Sequence, residues 1–176
     1  MKAHMAMRQQ SVVLAVMLAA CAVSGVRLAD EGAACPERLD VLAQVQPDGF
    51  MVAGREGTTY RIQPCGVLEN SPCASASIDD PAACAVAGSP PGPAPPSPAT
   101  LLATAASRSI DGDGPQGVRI GLGGPPSTDR LVIDVLCDEH VTAGNVSFVL
   151  VAMDGPVSAR TFRFVGLAAA ACPLPG

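Results

Sequence analysis

The clearest alternation of apolar and polar positions lies between Thr128 and Cys172. Leu131, Ile133 and Val135 alternate with Arg130, Val132 and Asp134, the two-residue period of a strand with one buried face. Asn145-Val-Ser-Phe-Val-Leu-Val151 and Thr161-Phe-Arg-Phe-Val165 predict two more strands, and the three together predict a β-meander. Asp134 falls on the polar side and reads as solvent-facing. Cys137 ends the first strand and Cys172 lies just beyond the third, so a bridge between them would staple the meander.

The preceding half has its own strand-and-turn rhythm. Leu39-Asp-Val-Leu-Ala-Gln-Val45 is followed by the turn signal Pro47-Asp-Gly49 and then by Phe50-Met-Val-Ala. Thr58-Thr-Tyr-Arg-Ile-Gln63 predicts a strand running into Pro64-Cys65. Leu101–Ile110 is ambiguous between helix and strand, Asp111-Gly-Asp-Gly-Pro reads as a turn, and Gly117-Val-Arg-Ile-Gly-Leu122 as a strand before the turn Gly123-Gly-Pro-Pro. Gly88 to Pro98 is a polyproline-like stretch, expected to be a solvated, semi-rigid linker or insert over 88–98.

The N-terminus has a different pattern. Lys2 and Arg8 precede an apolar run, Val12–Val23, and then small residues, the layout of a secretory signal peptide over residues 1–25, with cleavage after Gly25 or Ala29. The run is short of the ~20 apolar residues that span a bilayer, and no later stretch is a transmembrane candidate. Residues 26–176 are then expected to form a single β domain. Leu18-Ala-Ala-Cys21 also resembles the lipobox of bacterial lipoproteins, an alternative in which Cys21 carries a lipid anchor.

Composition narrows the class. Seventeen Pro and eighteen Gly favour turns over long helices. Aromatic residues are 3% of the chain, so large side chains contribute little to any core. A formal charge of −5 offers no basic surface for nucleic acid. Six cysteines follow the signal segment: Cys35, Cys65, Cys73, Cys84, Cys137 and Cys172. An even number behind a signal peptide reads as a disulfide framework whose connectivity is open, although Cys73 and Cys84 are placed to close a short loop. A zinc site would need closer cysteine pairs and more histidine, so neither a metal nor another cofactor is expected.

Catalytic signatures are missing. There is no G-x-S-x-G, P-loop or H-E-x-x-H sequence, His140 sits among polar residues in an expected turn, and Asp111-Gly-Asp113 begins a calcium-type loop that Pro115 breaks. The chain reads as non-enzymatic, with no catalytic residue. Asn145-Val-Ser147 is an N-glycosylation sequon.

The ordered set Cys35 … Tyr60-Arg-Ile-Gln-Pro-Cys-Gly66 … Cys73 … Ala82-Ala-Cys84 … Leu122-Gly-Gly124 … Arg130-Leu-Val-Ile-Asp-Val-Leu-Cys-Asp138 … Phe162-Arg-Phe164 … Ala171-Cys172 resembles the mannose 6-phosphate receptor homology domains. The resemblance implies an all-β, disulfide-stapled flattened β-barrel or sandwich. It implies the pairs Cys35–Cys65, Cys73–Cys84 and Cys137–Cys172. A fourth pair common in the family is missing on both sides, near Gly124–Ser127 and at Arg160.

The family's sugar site uses a Gln, an Arg, a Glu and a Tyr. Here the Gln position after the fourth cysteine holds Ala85-Val86, and the Tyr position holds Phe162. The Arg position holds Asp129 with Arg130 next to it, and Asp154 is the acid nearest the Glu position. The carbohydrate-binding candidates are therefore Arg130, Asp154 and Phe162. The implied role is non-catalytic glycoprotein recognition, lectin-like with a degenerate mannose or mannose 6-phosphate site. Glycoproteins, N-glycans or protein partners would be met in the endoplasmic reticulum, Golgi or lysosome, or after secretion. The alternatives are the same fold used only as a protein-interaction module, and a secreted lipoprotein of bacterial type.

Overall fold

The computed structural model describes residues 33–70, 72, 73, 80–88, 99–123 and 127–173. The signal-peptide segment, Cys21, residues 89–98 of the Pro-rich stretch and residues 124–126 lie outside these. All described residues belong to the unit Gly32–Gly176.

The fold is mostly β, in two sheets. The first is antiparallel, with strands β1 (Phe50–Ala53), β2 (Thr59–Ile62), β3 (Pro81–Val86) and β4 (Ala99–Thr104) side by side in chain order. The second contains β5 (Arg108–Gly114), β6 (Gly117–Gly123), β7 (Arg130–Cys137), β8 (Phe148–Asp154) and β9 (Thr161–Ala168), in the order β5-β6-β7-β9-β8. No ladder among the described residues joins the sheets, so the barrel is not closed and the sandwich form holds. Leu101–Ile110 is resolved as strand on both sides of a switch between sheets. The chain leaves β4, turns at Ala105–Ser107 and enters β5, with the Ser107 hydroxyl donating to the Thr104 carbonyl at 2.6 Å.

Three expectations need correction. Leu39–Val45 is not part of a strand rhythm: a 3₁₀ turn over Glu37–Leu39 leads into a short helix, α1 (Asp40–Val45). Leu39 and Leu42 are fully buried, the i, i+3 spacing of one helical face. Asp111–Gly114 continues β5, and the turn falls at Pro115–Gln116 instead. The C-terminal strands do not form a meander. β9 lies between β7 and β8, parallel to β7 and antiparallel to β8.

That insertion agrees with the disulfide. With β8 in the middle, β7 and β9 would lie two strand spacings, ~9.5 Å, apart, beyond the ~7 Å that a bridge tolerates between Cα atoms. As neighbours they place the ends of β7 and β9 together, and Cys137 and Cys172 are joined with Cα atoms 4.5 Å apart. The other bridges are Cys35–Cys65 and Cys73–Cys84.

The core lies between the sheets. Aromatic residues are few, but all five are buried in it: Phe50, Tyr60, Phe148, Phe162 and Phe164. Phe50 meets Phe148 edge-on at 4.9 Å, and Tyr60 meets Phe162 at 5.5 Å and Phe164 at 5.7 Å. In each contact a ring of the first sheet touches one of the second, so these five side chains couple the two layers. Gly166 on β9 is needed by one of them, because a Cβ there would lie 2.6 Å from the Phe148 ring. Cys73, Cys84 and Leu68 form a smaller cluster with Val86 and Leu101 packed against it.

Candidate functional site

β7 and β9 run in parallel register, Arg130 opposite Thr161 and Leu131 opposite Phe162. Paired residues share a face of the sheet, and the next pair points to the other. Phe162 is turned inward and 1% exposed, whereas Arg130 is on the outer face, 60% of its side chain exposed, where it pairs with Asp111 at 3.1 Å. Asp154 at the exposed end of β8 also pairs with Thr161. The structure therefore brings Arg130 and Asp154 into one outer row and places Phe162 on the opposite side. The three candidates do not converge on a single site.

What does assemble around Phe162 is a small cleft between the sheets, where β2, β4 and β9 begin and β3 ends. Its polar groups come from Thr58, Tyr60, Thr100 and Arg160, and its apolar wall from Ala85 and Phe162. Arg160 is held by Asp129: one carboxylate oxygen accepts the Arg160 backbone N–H at 2.9 Å and the other accepts Nη2 at 2.9 Å. The guanidinium stacks over the Phe162 ring, 5.1 Å from its centroid, a cation–π arrangement. The Arg160 carbonyl in turn accepts the Arg130 backbone N–H at 2.8 Å, and the Thr128 hydroxyl donates to the Ser158 carbonyl.

The resemblance alone would give Asp129 and Arg160 only as departures, the one at an implied arginine position and the other at an implied cysteine position. Together they form a cross-link between the segments preceding β7 and β9. Burial pushes the Tyr60 phenol above its ordinary value, against the opposing pull of the Arg160 charge. The cleft can donate hydrogen bonds to a small polar ligand. It holds no pair of free carboxylates for general acid–base work, since Asp129 is committed to Arg160.

The outer face of the second sheet carries the other ionic cluster. Asp134 is expected to face solvent but is 5% exposed, covered by arginines on both neighbouring strands. Arg119 Nε donates to Oδ1 at 2.5 Å, and Arg163 donates to Oδ2 through Nε at 2.8 Å and Nη2 at 2.7 Å. Burial pushes the Asp134 carboxyl up, but the hydrogen bonds and charges of Arg119 and Arg163 outweigh this and hold it below its ordinary value. A carboxyl with a depressed folded pKa stabilises the fold above its unfolded value, and that contribution is lost as pH falls through the folded value. Stability should therefore decline on acidification below about pH 4, and Asp134→Asn should flatten part of that decline. Melting midpoints that fall equally with pH in variant and parent would exclude Asp134 as a source.

Asn145 is exposed in the turn before β8, its Nδ2 donating to Thr142 Oγ1 at 3.2 Å. His140 is exposed as well, its backbone N–H bonded to Asp138 Oδ1 at 3.0 Å. Among the described residues no group of His, Cys, Asp and Glu is arranged to hold a metal ion, and no helix is long and apolar enough to cross a membrane. The three disulfides are compatible with a secreted or lumenal protein. No protein-family model matches the chain, and no curated protein matches it.

Proposed function

We propose that this chain is a non-catalytic glycoprotein-recognition domain of the mannose 6-phosphate receptor homology type, acting in the secretory or endolysosomal pathway, with a degenerate mannose site. The observation carrying this is the disulfide pattern. The three bridges join the six cysteines in the pairs that the resemblance implies.

The cleft supports the degenerate-site reading. Ala85 and Phe162 lie together in its wall, so a carboxamide and a phenolic hydroxyl are both missing where the resemblance implies sugar contacts. Each lost hydrogen bond is worth about 1 kcal/mol net, so two reduce affinity by about thirtyfold. The acid Asp129 stands where the resemblance implies an arginine, and Arg160, the cation beside it, is already paired with it.

An array of N-glycans probed with the disulfide-bonded protein tests this. Mannose- and mannose 6-phosphate-terminated glycans should give signals near background. Micromolar affinity for either sugar would overturn the degenerate-site reading.

A specific observation favours a second reading, a protein-interaction module. Val149 and Val151 on the edge strand β8, and Val157 beyond it, are more than half exposed. An array blank for every glycan class would leave this reading in place of the first.

A further inference from the structure

The outer face of the five-stranded sheet holds a groove of about 510 Å³, lined by Asp111, Arg119, Arg130, Val132, Thr161 and Arg163. From residue 33 onward the chain has eight arginines, no lysine and fourteen acids. Three of those arginines converge here, from β6, β7 and β9, against two carboxylates, Asp111 and Asp134. In a strongly acidic domain the three arginines exceed the two carboxylates paired with them by one charge, and the exposed Asp154, next to Thr161 in the outer row, lies at the groove's rim.

The register builds it. Arg119 lies opposite Asp134, Val132 opposite Arg163, and Arg130 opposite Thr161, so the three guanidiniums rise from adjacent rows of one face. Gly121, opposite Val132, adds no side chain to the floor. A Cβ there would lie 2.4 Å from Ser109 Oγ and 2.9 Å from Asp111 Oδ2, so glycine lets the Ser109–Asp111 pair lean across the sheet. Asp111 is fixed in turn by the Ser109 hydroxyl, which donates to Oδ1 at 2.7 Å.

The buried Asp134 carboxylate and the tethered Asp111 hold the arginine heads in place. They use only one or two of the five N–H donors on each guanidinium. The remaining donors stay available around a cavity open to solvent, and each of the three arginine side chains is at least 48% exposed. Arginines already ordered by protein carboxylates lose less freedom when they bind an anion, and their planar forks suit the oxygens of sulfate, phosphate or carboxylate.

We propose that this groove is an oxyanion site, and that its ligand is a singly charged group carried on a sugar, a sulfate ester or a sugar carboxylate. One positive charge in excess among the paired groups, with the Asp154 carboxylate at the rim, suits a monoanion better than a phosphate monoester, which carries about −1.5 to −2 at neutral pH. The sugar as carrier rests on the glycoprotein-recognition reading; the oxyanion chemistry does not. The site is on the opposite face of the sheet from the Phe162 cleft and is independent of mannose recognition.

Titration of the disulfide-bonded protein with a sulfated disaccharide, its unsulfated parent and inorganic sulfate, followed by amide chemical shifts, tests the proposal. The sulfated disaccharide should bind more tightly than inorganic sulfate, the parent sugar should not bind, and the shifts should centre on β6, β7 and β9. Arg130→Ala is the informative variant, because Arg130 and its partner Asp111 are not core residues and the fold should survive. It should weaken binding at least tenfold. Arg55→Ala, the same charge change at an exposed turn of the other sheet, should leave binding within twofold.

Equal losses in the two variants, or no binding of either anion, would overturn the site. Inorganic sulfate binding as tightly as the disaccharide would overturn the sugar as carrier while leaving the glycan-array result to judge the glycoprotein reading separately.

Discussion

Reduction of its disulfides under otherwise native conditions is expected to unfold this domain, with loss of the β-sheet circular dichroism signal. The bridges close chain separations of 30, 11 and 35 residues. In the chain-entropy treatment these constrain the unfolded state by about 4, about 3 and about 4 kcal/mol, together on the order of 10 kcal/mol. A whole domain is typically stable by about 5–15 kcal/mol, so their removal takes away most of the margin.

Paired alanine variants separate the contributions. The Cys137→Ala/Cys172→Ala variant should melt lower than the Cys73→Ala/Cys84→Ala variant, because it releases the longer loop and unties β9 from β7. Cys84 is fully buried beside Leu68, and packing lost there narrows the gap. Identical midpoints would count against this ordering, since the packing would then fully offset the difference in loop entropy. A reduced protein that keeps its sheet signal and cooperative melt would show that the core alone suffices.

Phe164→Ala should be among the most destabilising single substitutions, at about 3–5 kcal/mol. Phe164 is fully buried on β9, opposite Ile133 of β7 and Leu150 of β8, and its ring meets Tyr60 across the sandwich at 5.7 Å. With only five aromatic residues in the chain, no other large ring can fill the space. The urea midpoint should fall while the denaturant slope stays constant, as expected for a cavity in a two-state fold. A loss below about 1 kcal/mol would mean that the site collapses around the missing ring, contrary to close core packing.

The strands around these residues are legible from local alternation. Phe162 and Phe164 bracket Arg163, and that period already assigns the phenylalanines to one face and the arginine to the other. Leu39 and Leu42 carry the helical spacing that the fold uses, although six residues are too few to separate a helix from a strand-and-turn pattern.

Partner choice is not legible in the same way. Nothing in the sequence between Cys137 and Thr161 states that β9 displaces β8 from the side of β7. Arg160 and Asp129 meet across 31 residues, and Asp134 meets Arg163 across 29. Alternation correctly turns Asp134 away from the core, but the burial of that carboxylate comes from neighbours on other strands. Register between distant segments decides this, and local periodicity does not encode it. The faces of Arg130 and Phe162 are a different matter, because alternation within each strand already sets Arg130 on the polar side of β7 and Phe162 on the apolar side of β9.

The place of β9 also bears on the order in which the chain can fold. β9, made after both β7 and β8, occupies the lane between them, so until it arrives β7 has one unpaired side and β8 has two. During synthesis neither can complete its ladder, and both present open backbone edges of the kind that invite pairing with other chains. Closure of the sheet is thus a late, long-range event, and it brings Cys137 and Cys172 to the Cα separation of 4.5 Å at which they are bridged. A chain stopped before Thr161 would be a half-open sheet awaiting a strand, a substrate for chaperones rather than a smaller version of the domain.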